Sequence, residues 1–298
     1  MNEIKLLDLK VDYMFKQLFG QPSRKQITIA FLNDLLGRPE IDRINDISFE
    51  NTDLIKDTSE GKSSRLDLLV STSTGEKINV EIQLANPNNM PQRMLFYWWK
   101  MYTASLQERE SYEELPVTIV ISILNFSLFK HETDIFHSKF QVLETSNYFP
   151  FSDRLEFHTI DLKQFMIQWK KYRRDWKTDT KAVPWLLLLT AADNQKDTVD
   201  SEILNELEEW AMNYEEVKTA LKEWEKLSIN KENRAEYEWR LKELRDQLSR
   251  LKGAREEGRE LERHEILKSM MSEGFEASVI SKITKIPVEE VLEIMKRM

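Results

Sequence analysis

Cysteine is absent from the sequence, glycine and proline number only seven and eight, and no apolar run approaches the ~20 residues of a membrane-spanning helix. Without cysteine there are no disulfides, thiolate metal sites or sulfur nucleophiles, a composition that suits a reducing compartment. The scarcity of glycine and proline leaves long stretches free to be helical. WLLLL at 185–189 is far too short to span, and the opening MNEIKLLDLKVDYMF mixes acids and bases into its apolar residues, unlike a signal peptide. The reading is a cytoplasmic protein with no membrane partner. The four histidines, His131, His137, His158 and His264, show no metal-ligand spacing, and there is no nucleophile elbow, GxGxxG or P-loop. Covalent and nucleotide-driven chemistries therefore lack support.

What is present is charge: 32% of the residues are Asp, Glu, Lys or Arg, with a net charge of −9 beside a hydrophobic fraction of 41%. That balance argues against a uniformly basic coat for nucleic acid and leaves room for a local basic groove.

The pattern is helical over 8–36, broken by Gly20-Gln21-Pro22-Ser23. After Pro39 the texture turns strand-like in IDRINDISFE, RLDLLVST and KINVEIQL, the last two joined by Ser73-Thr74-Gly75 as a hairpin loop. An aromatic helix over 90–107 follows, then strands over 115–126, 135–143 and 154–161. This order predicts an α/β layered fold.

In KINVEIQL, Ile78, Val80, Ile82 and Leu84 share one face, and Asn79, Glu81 and Gln83 the other. In RLDLLV the alternation sends Leu66, Leu68 and Val70 to the core and Asp67 to the opposite face. A three-residue loop sets Asp67 opposite Glu81 at the ~4.5–5.5 Å of a cross-strand pair. Two opposed carboxylates repel unless a cation lies between them, and Mg2+ prefers such hard oxygen ligands. The plain alternative is two solvated acids on the wet side of a sheet. On either reading both sit on a polar face, where truncation to alanine would leave the fold intact.

Four stretches, DYMFKQLFG at 12–20, FLNDLLG at 31–37, RLDLLV…INVEIQL at 65–84 and QRMLFYWWKMY at 92–102, resemble the Rpn family. These are recombination-promoting nucleases, also described as transposases, of the PD-(D/E)XK nuclease superfamily. With LPVTIVISILNF and RLEFHTIDLKQF, the resemblance runs over roughly residues 8–165. It implies a restriction-endonuclease-like core, a mixed sheet flanked by helices, followed by an all-α C-terminal region. It implies an endonuclease that hydrolyses phosphodiesters of double-stranded DNA with Mg2+ or another divalent cation such as Mn2+, linked to recombination, mobile elements or defence. Asp67 and Glu81 are then the metal-binding acids, with Asp12 as a third ligand or a helix-capping residue. Gln83 stands where the superfamily usually has lysine. It offers a neutral donor and acceptor to orient water, and Lys16 would bring the missing charge. Arg93 and Tyr97 either contact phosphate and steady Glu81 or tie helix to sheet. The other reading of Gln83 is a weak or inactive nuclease fold that binds DNA or acts as a scaffold.

In KQFMIQWKKYRRDWK at 163–177, Phe165, Trp169, Tyr172 and Trp176 form an apolar stripe. Lys170, Lys171, Arg173, Arg174 and Lys177 form the densest cationic cluster, a candidate DNA-backbone surface. The expected division is a nuclease-like domain over 1–197, a helical hairpin or coiled coil over 198–263 and a small helix-turn-helix-like tail over 264–298. The heptad-like seams, Ile203 to Trp224 and Tyr237 to Leu251, would pair within the chain or between two copies as a homodimer. In the tail, Glu289 and Glu290 open the would-be recognition helix and would repel phosphate.

Overall fold

The structure, a computed structural model, describes residues 5–54, 64–104, 111–172, 181–194, 196 and 198–297. The opening helical pattern resolves into α1 (Asp12–Phe19) and α2 (Lys25–Leu35), separated at the glycine-proline break. Their apolar positions bury Phe15, Phe19 and Phe31, which pack with Trp185 at ring-centroid distances of 4.4–6.3 Å. Offset and edge contacts of this kind add to the area they bury.

Six strands form the main sheet: β1 (Ile47–Phe49), β2 (Leu68–Thr72), β3 (Lys77–Gln83), β4 (Thr118–Leu124), β5 (His137–Phe140) and β6 (Leu155–Asp161). Their order is β1-β2-β3-β4-β6-β5. β3, β4 and β6 are parallel, and β1, β2 and β5 are antiparallel to their neighbours, so the sheet is mixed as expected. The parallel step from β3 to β4 needs a crossover, which α3 (Met90–Ala104) supplies. α3 lays Met90, Met94, Tyr97 and Met101 against a cluster containing Leu69, Val120, Leu124 and Phe157.

That helix overturns one expectation. The period-two pattern of β3 is kept, but its polar face is not outward: Asn79 and Glu81 are 0% and 2% exposed, because α3 covers their side while Ile78, Val80 and Ile82 fill the other. A strand in the parallel part of a sheet is enclosed on both faces. RLDLLV is also not one strand. Ser64–Arg65 pairs with Asp53–Leu54, the chain bends at Asp67, and β2 begins only at Leu68. The bend turns Leu66 into the α3 cluster with Leu69 instead of setting it beside Leu68 and Val70.

After β6 come α4 (Leu162–Tyr172), α5 (Val183–Thr190), apolar except for its last residue, α6 (Ser201–Asn213), α7 (Glu215–Ile229), α8 (Lys231–Ser272), α9 (Ala277–Thr284) and α10 (Val288–Arg297). The chain divides into compact units 1–242 and 243–298. The texture change after 198 marks a passage from sheet to helices inside the first unit. The seam is broken at Tyr214, whose backbone is extended, and Ile203, Leu207, Val217 and Trp224 are buried in that unit. Tyr214 Oη and Trp185 Nε1 both donate to Asp34 on α2, tying the α6–α7 corner inward, and burial pushes the Asp34 carboxyl up. In the second unit the end of α8 packs with α9 and α10 around Leu267, Ile280, Ile286 and Val291. Residues 249–266 of α8 are exposed throughout. Among the described residues no helix is long and apolar enough to cross a membrane.

Candidate active site

The loop between β2 and β3 fixes the site. Thr72 N–H donates to Glu76 O at 2.9 Å, closing a loop of Ser73, Thr74 and Gly75, and Gly75 takes the left-handed φ of +86° that such a loop needs. From there the register runs to Leu68 opposite Val80, so Asp67 and Glu81 are the next pair. At that point the strand bends and the side chains continue the ladder. Asp67 N–H donates to Glu81 Oε1 at 3.1 Å, and Ile82 N–H donates to Asp67 Oδ2 at 3.0 Å. Each carboxylate thus replaces a backbone carbonyl, and neither acid is a free surface group.

α1 completes one side. Lys16 Nζ lies 3.3 Å from Asp67 Oδ1, three-quarters buried. Asp12, one turn earlier, is the first residue of α1; Val11 holds the cap position, and no side chain caps the helix. Asp12 is therefore not the capping residue. It stands near enough to Asp67 for its charge to be felt there.

Burial raises the Asp67 carboxyl, with Asp12 adding to the rise and Lys16 and the Ile82 amide opposing it. Glu81 is held well above the ordinary carboxylate range by burial and by Asp67, against the Asp67 amide, Arg93 and Lys16. At this pair, burial and the neighbouring carboxylate outweigh the opposing pull of Lys16 and Arg93. Beside Glu81 the polar content continues: Ser122 is its register partner on β4, and the Ser122 hydroxyl and Asn79 amide, both fully buried, have no hydrogen-bond partner among the described residues.

Gln83 lies at the open end of β3. Its Oε1 accepts from Arg93 Nη1 at 3.4 Å, and Arg93 Nη2 donates to Tyr97 Oη at 2.8 Å. Burial and the charge of Glu81 push the Tyr97 phenol up. Asp12, Lys16, Asp67, Glu81, Gln83, Arg93 and Tyr97, 55 and more residues apart in part, therefore meet in one place.

The basic cluster does not join them. Lys170 and Lys171 sit in the last turn of α4, with Lys171 over the Tyr172 ring at 4.6 Å, and share no hydrogen bond, ion pair or ring contact with the acids. Arg173, Arg174, Trp176 and Lys177 lie outside the described residues. Of the expected stripe, Phe165 and Trp169 are buried and Tyr172 is exposed.

A second polar cluster escapes any reading by spacing. Pairing of β5 with β6 brings His137 Nε2 within 2.8 Å of His158 Nδ1, and His158 Nε2 donates to Glu156 Oε1 at 2.7 Å. Lys139 Nζ lies 2.7 Å from Glu156 Oε2. Among the described residues no group of three or more His, Asp or Glu is arranged to hold a metal ion.

Comparison with curated proteins and with solved structures finds no match. A family profile described as PD-(D/E)XK nuclease family transposase matches residues 9–254. The span takes in every residue of the cluster just described and continues through α6 and α7 into α8, well past residue 165, where the motif-by-motif resemblance stops. The chain belongs to the PD-(D/E)XK nuclease transposase family.

Proposed function

We propose that this chain is a DNA endonuclease that hydrolyses phosphodiesters with a divalent cation, Mg2+ in the first instance and Mn2+ as a substitute, in the service of recombination, mobile elements or defence. The observation that carries the reading is the buried Asp67–Glu81 pair, held to the sheet by reciprocal backbone hydrogen bonds and pushed upward by burial and, at Glu81, by the neighbouring carboxylate, despite Lys16 and Arg93. Nucleases of this family generally use divalent metal ions. The donor set fits one: two adjacent carboxylates, with Asp12 near, are the hard oxygen ligands that Mg2+ takes alongside water and phosphate. When bound, such a cation supplies Lewis-acid polarisation of the phosphate and lowers the pKa of water.

The remaining roles fall to the chain itself. Asp67 and Glu81 would hold the cation in place, because their own rotamers are fixed by backbone donors. Lys16 brings an ammonium to the acids from α1, replacing the charge that the superfamily carries on the strand, and so favours the active reading over a scaffold whose support is Gln83. Gln83, with its carbonyl turned to Arg93, has its amide group available to orient water. Arg93, bound to neutral partners and partly exposed, is suited to a phosphate oxygen. Lys170 and Lys171 extend the proposal to a second backbone contact on double-stranded DNA. Pairing between copies would use the half-buried Leu244 and Leu248 and the exposed Leu251, since the seam from Ile203 to Trp224 is enclosed.

The test is plasmid nicking in Mg2+ and in chelator by the wild type, Asp67→Asn and Glu81→Gln. Cleavage by the wild type that both variants lose supports the site. Equal cleavage by all three would place the chemistry elsewhere, and a folded wild type that never cuts would leave the scaffold reading.

A further inference from the structure

The side of α3 turned away from the sheet combines exposed apolar side chains with basic residues and no acid. Leu95, Phe96 and Trp99 are 52%, 45% and 50% exposed. Apolar side chains this large, clustered on one exposed face, mark a binding surface more often than an accident of packing. Over its fifteen residues the helix carries Arg93 and Lys100 and no acid, although the chain's net charge is −9. The Lys100 ammonium lies over both rings, 5.7 Å from the Phe96 centroid and 5.1 Å from that of Trp99.

This face is also continuous with the candidate site. Gln83 accepts from Arg93, Arg93 donates to Tyr97, and the Tyr97 ring lies 6.1 Å from that of Phe96, which is 6.5 Å from Trp99. From Arg93 to Trp99 the helix rises only about 9 Å.

We propose that Phe96, Trp99 and Lys100 form a stacking platform for unpaired DNA bases next to the cleavage site. The substrate class would then be DNA with a single-stranded element beside the scissile bond, such as a flap, gap or branch. Exposed rings offer π-faces that a base can cover whatever its sequence, and in a duplex those faces are already stacked on neighbouring bases. Cations among the rings hold the phosphates of the same strand, which an acidic or purely apolar protein partner would not require. The proposal rests on the nuclease reading, since only cleavage at Asp67 and Glu81 gives the platform a strand to present.

Binding and cleavage can be read apart. Labelled single-stranded and duplex oligonucleotides of equal length are titrated with the full chain in chelator, following anisotropy and tryptophan fluorescence. The wild type should bind the single strand more tightly and show tryptophan quenching. Phe96→Ala and Trp99→Ala should each weaken single-strand binding on the order of ten-fold while leaving duplex binding nearly unchanged. Lys100→Gln should flatten the salt dependence of single-strand binding by about 0.7 units. Melting temperatures near wild type would establish that the variants are folded. Equal affinity for the two DNA forms, or single-strand binding unaltered in the variants, overturns the platform. A change of oligomeric state without a change in DNA affinity overturns it too, making the face a contact between copies. In either case plasmid nicking that persists leaves the endonuclease reading standing, whereas loss of both binding and nicking in the wild type removes the two together.

Discussion

Glu81, buried, and Glu156, partly exposed, are acids of one sheet on opposite faces, and they are treated in opposite ways. Burial pushes each upward. At Glu156, hydrogen bonds from His158 and Lys139 outweigh that push and hold the carboxyl at about 2. At Glu81 the neighbour is another carboxylate, and its proton affinity stays well above the ordinary range. The cost of satisfying the Glu156 side is visible in His137, lowered to about 4 by burial, His158 and Lys139. An acid whose cations prevail over burial is a structural element, and one at which burial and a second carboxylate prevail is poised for a ligand or a proton.

Exchanging each acid for its amide should separate the two most sharply. Glu81→Gln keeps an acceptor for the Asp67 amide and should cut Mg2+-dependent cleavage on the order of 10³-fold with the fold intact. Glu156→Gln should leave cleavage within about two-fold while lowering stability by about 1–3 kcal/mol, because Lys139 and His158 lose a charged partner at a partly exposed site. Nicking assays and urea melts on the same preparations read both effects. Alanine is the poorer probe. It would strand the buried Ile82 or Asp67 N–H, so the tolerance expected from a solvated polar face does not carry over to the enclosed pair.

Moving the counter-charge should have the next largest effect. Lys16→Met should slow cleavage about 10- to 100-fold. Adding Gln83→Lys to it should recover part of the loss, since the ammonium returns on the neighbouring strand. No recovery, with Mg2+ affinity unchanged, would show that the position of Lys16 matters and not its charge alone.

The pH dependence of the metal-free protein sharpens the comparison further. The folded-state values of Asp67 and Glu81 lie above their unfolded ones, so the folded state holds more protons in that interval. Stability from this pair is fully present below the ordinary carboxylate range and declines as pH rises through the raised folded values. Glu156 is depressed, so its contribution is present above about pH 4.5 and disappears as pH falls toward 2. Melting in chelator should therefore show stability falling as pH rises above the ordinary carboxylate range, a slope that Glu81→Gln flattens and Glu156→Gln does not.

The sheet's architecture and the pairing of Asp67 with Glu81 were legible because both rest on local chemistry: period-two patterning, and a glycine that closes a three-residue loop. Enclosure of that pair was not, because it depends on α3, whose outer aromatics look in sequence like its inner methionines. The 4-3 step from Ile203 to Trp224 was seen but not its use, since a core-facing stripe and a dimer seam share one spacing and Tyr214 breaks the helix without glycine or proline. His137 and His158 meet only through strand pairing across a 21-residue separation. Asn79 offers the smallest test of the enclosed face: Asn79→Val should raise stability by about 1 kcal/mol in thermal melts, since it removes buried polar atoms that have no partner among the described residues.

The reciprocal hydrogen bonds of Asp67 and Glu81 also constrain how this site can decay. Selection for folding alone demands an acceptor at each position and is indifferent to its charge. A lineage that ceased to cut would be expected to drift first to asparagine at 67 and glutamine at 81, changes that keep both backbone donors paired. Amides at those two positions, rather than small apolar residues, are thus the signature a retired descendant of this chain should carry.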